Sequence, residues 1–165
     1  MSSHFQKGKL KTAILLSAPG KKEEELGKPA SGLTGAHIRE ALIHLNTISP
    51  ESFPSTSLDD YRITNAIKEP QYLNKTNRYE GTATEIKSKD NIERIRDELS
   101  NIDVILVLGK KAEIAYENLN MSIDVYKASH PSQQNLVSAF KSNKETSSER
   151  NQDRIQQWIN SITKI

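Results

Sequence analysis

No cysteine occurs anywhere in the 165 residues. That absence removes disulfides, thiolate nucleophiles and cysteine-held zinc or iron–sulfur centres together. Long hydrophobic runs are missing too, since no stretch approaches the roughly 20 apolar residues that a membrane span needs. The opening Met1-Ser2-Ser3-His4 carries no apolar signal core, so a cytoplasmic protein with no membrane partner is expected. Charge of either sign is nearly balanced, 23 Lys and Arg against 21 Asp and Glu for a net +2. Bulk electrostatics therefore gives little pull towards a polyanion. Glycine is scarce as well, seven in all, and five of them (Gly8, Gly20, Gly27, Gly32 and Gly35) fall in the first 35 residues.

What is present centres on that glycine-rich stretch. The apolar run Ala13-Ile14-Leu15-Leu16 opens directly into residues 17–35, which also hold Pro19 and Pro29. This reads as a buried strand spilling into a long loop, the place where α/β proteins put ligands. Further strands are predicted at 61–67, at 103–108 and, less apolar and at an edge, at 123–128. Helices are predicted after Thr34 as cap (Ile38, Ala41, Leu42, Leu45 inward), from Asp90 to Leu99 and from Lys110 to Asn118. Two more follow Ser132 as cap (Leu136, Val137, Phe140 inward) and run along Ile155, Trp158, Ile159 and Ile162. Residues 47–60, 71–90 and 141–150 read as irregular. Strand–helix alternation predicts a single domain over 1–165, a three-layer α/β/α sandwich around a mainly parallel four-stranded sheet. Parallel strands then gather loops 17–35, 65–70, 109–111 and 129–135 at one edge.

Each of those loops carries a short motif. The first reads Ala18-Pro19-Gly20 with Glu23, Gly27, Pro29, Gly32 and Gly35. Then come Ile63-Thr64-Asn65-Ala66-Ile67-Lys68, Val107-Leu108-Gly109-Lys110-Lys111-Ala112, and His130-Pro131-Ser132. Each has an ordinary structural explanation: a turn-forming asparagine, a surface histidine, a solvated lysine face. Together and in order, they resemble the motifs of the uracil-DNA glycosylase superfamily, most closely its family 4 branch.

The resemblance implies a monomeric enzyme that extrudes a base from DNA, duplex or single-stranded, into a pocket and cuts its glycosidic bond. In that reading His130 donates to the base O2, where negative charge develops. Asn65 pairs with the base edge; one amide orientation suits uracil and the other cytosine, so the residue type leaves the base open. Ala18, Pro19, Gly20 and Ala30 would wall the pocket. Lys68, Gly109, Lys110, Ser132, Gln133 and Gln134 would contact DNA, with backbone amides near Pro19-Gly20 and after Ser132 suited to phosphates.

The chain departs from the family pattern in three places. The four iron–sulfur cysteines are absent, so no cofactor or metal is expected. Ser17 replaces a water-orienting glutamate; its hydroxyl can hold a water but not act as a carboxylate base, so hydrolysis needs either a good leaving group or a base elsewhere, with Glu23, Glu24, Asp59 and Asp60 as candidates. Ala30 replaces a stacking phenylalanine, forfeiting roughly 1–3 kcal/mol of stacking and leaving a larger pocket. The expected substrate is a base bulkier than uracil, such as a pyrimidine substituted at C5 of the kind met in modified viral DNA, which leaves both repair and defence open as settings. Gln133 and Gln134 stand where a bulkier wedge is common, which favours a light grip on duplex or a preference for single strands. The alternative is a binder that keeps the pocket without hydrolysis. A generic nucleotide-binding domain has less support, because neither G-x-G-x-x-G nor G-x-x-x-x-G-K-[ST] occurs.

Overall fold

Two five-residue runs, β1 (Thr12–Leu16) and β3 (Val104–Leu108), apolar but for Thr12, are buried along their whole length. Strands apolar on both faces need helices on both faces, and the computed structural model, which describes residues 2–165, supplies them. On one side pack α2 (Leu33–Ile48), α7 (Gln133–Ala139) and α8 (Ser147–Ser161). Their Ile38, Leu42, Leu45, Leu136 and Trp158 meet Ile14, Leu16, Leu106 and Leu108 of the sheet. On the other side pack α4 (Ala83–Lys87), α5 (Lys89–Glu98) and α6 (Lys110–Glu117). There Ile86, Ile92, Ile95, Ala112 and Ala115 meet Ala13, Leu15, Ile105 and Val107. The two-residue alternation along β1 and β3 thus divides the core into two layers.

The sheet has five strands in the order β2-β1-β3-β4-β5. With β2 at Arg62–Asn65 and β4 at Asp124–Ala128, the first four are parallel. The fifth, β5 (Thr163–Lys164), runs antiparallel beside β4. The expected four-stranded sheet is therefore corrected to five, and β4 is not the edge. A two-residue polar strand has no periodicity to read, and it exists because α8 returns the chain to β4. The strand order reverses around β1 and β3, which puts a crevice at their carboxyl ends.

Other boundaries also differ from the sequence reading. The glycine-rich loop holds a short helix, α1 (Lys21–Leu26), and the stretch expected to be irregular holds α3 (Leu73–Thr76) and α4. Helix α2 begins after Gly32 rather than Thr34, α5 after Ser88 rather than Asp90, and α8 already at Ser147, capped by Thr146. Val137, expected inward, is exposed.

Helix α2 also shapes the loop before it. A Cβ on Gly35 would lie 1.8 Å from the Ala30 carbonyl oxygen, so the first turn of α2 presses directly on that peptide. Ala30 itself takes a left-handed φ of 53° and is buried. Gly35→Ala is expected to destabilise the fold by about 1–3 kcal/mol through overpacking. Chemical denaturation would measure it, and an unchanged midpoint would refute the contact.

Candidate active site

The carboxyl ends of the parallel strands open into a cleft of about 980 Å³. Strand register builds it. Leu16 stands beside Asn65, so β1 and β2 end together. Their loops then run side by side, with Ala66 N–H donating to Leu16 O, Ile67 N–H to Ser17 O and Gln71 N–H to Pro19 O. On the other flank Leu108 pairs with Ala128, and Gly109 N–H donates to Ala128 O at 2.9 Å. Gly109 has φ 98°, and a Cβ there would lie 3.0 Å from the His130 Cβ. Glycine is what lets the His130 loop close over the end of β3.

Of the site residues proposed from sequence, Ser17, Ala18, Pro19, Gly20, Glu23, Ala30, Asn65, Gly109, Lys110, His130, Ser132 and Gln134 all line this cleft. Lys68 and Gln133 do not. Lys68 sits in a shallow depression with Ser2, Ser3 and His4, and the Gln133 amide donates to Asn151 Oδ1 at 3.0 Å. Asp59 and Asp60 precede β2 and pair with Lys28 and Lys9, far along the strand from its carboxyl end. Glu24 is engaged by Lys75 and Tyr72, whose hydrogen bonds hold its carboxyl below the usual range.

His130 is oriented from several sides. The Ser132 N–H donates to its Nδ1 at 3.2 Å, which leaves the proton on Nε2 and makes that atom a donor. Although the ring keeps some contact with the cleft, crowding by protein strips its solvent, and burial pushes its pKa down from 6.5 to about 4. At neutral pH it is an uncharged donor. The loop around it is held by residues that no motif announced. Buried His37 of α2 meets Pro131 O through Nδ1 at 2.7 Å, and the Trp158 indole donates to Ser129 O at 2.9 Å. Asn135 donates to His130 O at 2.7 Å. Trp158 was legible only as a core residue of α8.

Asn65 is buried and held from behind. Its Nδ2 donates to His4 O at 3.0 Å, while its Oδ1 has no hydrogen-bond partner among the described residues. Turning the amide over would set oxygen against oxygen at His4, so the backbone of the N-terminal segment selects the orientation. His4 is fixed in turn: its Nε2 lies 2.8 Å from Glu98, which also accepts from Thr64 at 2.5 Å and Arg94 at 2.7 Å. Arg94 closes the ring by donating to Asn65 O at 3.0 Å. Burial raises the Glu98 pKa, but the hydrogen bonds from His4 and Thr64 and the Arg94 charge outweigh it, and the net shift is downward.

Glu23 accepts from Gly20 N–H at 3.0 Å and from Ser31 N–H at 3.3 Å, tying the two ends of the glycine-rich loop. Tyr79 and Glu80, from the segment expected to be irregular, also reach the cleft. Ser17 Oγ donates to Glu80 Oε2 at 3.3 Å. Nothing local in the sequence marks that pair, which lies 63 residues apart. Among the described residues no cluster of His, Asp or Glu has metal-binding geometry.

A doubly wound α/β domain with a polar cleft at its switch point, walled by a neutral histidine and an orphaned asparagine oxygen, belongs to the class that receives a hydrogen-bonding ligand there. The model of the family described as the uracil DNA glycosylase superfamily matches residues 3–154. The chain belongs to that superfamily. None of the curated proteins matches it.

Proposed function

We propose that this protein is a monofunctional DNA glycosylase acting on a flipped pyrimidine substituted at C5, and leaving an abasic site. Family membership implies glycosylase chemistry on DNA. The observation that carries the reading is the meeting of Asn65 and His130, 65 residues apart in the chain, on opposite flanks of one cleft. The unpaired Asn65 Oδ1 can accept a base N–H, and the His130 Nε2–H can donate to a base carbonyl. Leaving the Asn65 oxygen unmatched by a wrong base costs about 1–3 kcal/mol, which gives selectivity. Glu23 serves as the clasp of the loop, and Lys110 and Gln134 meet the DNA at the rim.

Ala30 supports the bulkier substrate, because a methyl group stands where an aromatic side chain would fill the pocket. Such bases occur mainly in modified viral DNA, which makes defence the natural setting. The test is incubation with oligonucleotides carrying one uracil, 5-hydroxymethyluracil or 5-hydroxymethylcytosine, followed by scoring of alkali-labile sites. Faster release of the substituted bases is expected. A strong preference for plain uracil would overturn the size argument, and tight binding without release would favour the non-catalytic reading that Ser17 invites.

A further inference from the structure

We propose that Glu80 takes the proton of the attacking water, with Ser17 holding the carboxylate in place. The proposal rests on the glycosylase reading and adds the residue that activates its nucleophile. Three carboxylates line the cleft: Glu23, Glu80 and Glu113. Glu23 is bound by two backbone N–H groups, and Glu113 lies 3.1 Å from the Lys127 ammonium. Both carboxylates are thus already engaged, one by backbone amides and the other by an ammonium. Glu80 has no cationic partner among the described residues, and its one side-chain hydrogen bond is the weaker one from the Ser17 hydroxyl. It is the cleft carboxylate that neither a backbone amide nor an ammonium engages among the described residues.

The segment that carries Glu80 is braced rather than loose. Gln71 N–H is bonded to Pro19 O, its side-chain oxygen accepts from Arg78 Nε at 2.8 Å, and Arg78 also pairs with Glu85 at 2.7 Å. The next residue, Gly81, is buried against Ile67 at the end of β2. These contacts flank Glu80, which is itself exposed and reaches Ser17 where both line the cleft. In the reaction the water oxygen bonds to the anomeric carbon as the glycosidic C–N bond breaks. The bonding pair leaves with the base, where His130 stabilises it, and the water proton passes to Glu80.

Single-turnover release from the same three oligonucleotides tests the assignment. Glu80→Gln keeps the size and the contact with Ser17 and is expected to lose about 10²–10⁴-fold in rate, with DNA affinity unchanged. Ser17→Ala should lose less, and the double variant should be no slower than Glu80→Gln, because Ser17 acts through Glu80. An active wild type with Glu80→Gln within about threefold of it would overturn the assignment and leave the glycosylase reading standing. A wild type that releases none of the three bases would remove both.

Discussion

His130→Ala is expected to slow single-turnover base release about 10²–10³-fold, the usual cost of deleting one donor to a developing negative charge. Binding of DNA should change little, because the rim residues proposed to meet DNA do not include the imidazole. The structure makes the donor uncharged: Ser132 N–H occupies Nδ1 and burial holds the pKa at about 4. Acidity should therefore tell on stability. The unfolded chain takes up a proton near 6.5 and the folded one resists it down to about 4, so the unfolded state binds more protons in between. The contribution of the neutral ring is fully present above 6.5 and lost as pH falls to 4, at most about 3 kcal/mol. Denaturant titrations between those limits should show wild type losing stability that His130→Ala does not lose. Equal slopes, or an alanine variant with near-normal release, would refute this account.

Glu98→Ala should produce a large loss of stability. Glu98 is the shared acceptor of His4, Thr64 and Arg94, with side-chain exposures of only 14% for the acid and 18% for the arginine. Removing it leaves a mostly buried guanidinium without its counter-charge, which costs about 3–5 kcal/mol for a fully buried pair. Partial exposure lowers that to about 2–4 kcal/mol here, or roughly 5–15 °C in Tm for a chain of this size. Base release should fall as well, since His4 and Arg94 are the two groups that hold Asn65. Glu98→Gln retains an acceptor and should fall between. Because the folded pKa of Glu98 lies below the ordinary carboxylate value, its contribution is present above that value and fades as pH drops through the folded one. A Tm within about 2 °C of wild type would show that the network carries little energy.

Much of this architecture was legible in the chain because it is written in local pattern. β1 and β3 are continuous apolar runs ended by a polar residue or glycine, and α8 shows its inward stripe of Ile155, Trp158 and Ile159 without ambiguity. The parallel arrangement followed from alternation alone, and with it the gathering of Ser17, Asn65, Gly109 and His130 at one edge. Less was legible where elements are short. α1, α3 and β5 have six, four and two residues, too few to show a period, and tertiary contacts hold them.

The sequence by itself determined the layered fold and the four motif-bearing loops, because these follow from residue type, order and spacing, while the roles proposed for His130 and Asn65 come from the family resemblance. Only the tertiary structure decided which way the Asn65 amide faces, which tautomer His130 takes, and which carboxylate stands free in the cleft. Those depend on partners such as His4, Ser132 and Glu80, supplied by segments whose own sequences carry no signal of where they will dock. Hydrogen-bond direction and charge neutralisation are properties of neighbours in space, and a linear pattern holds no record of them.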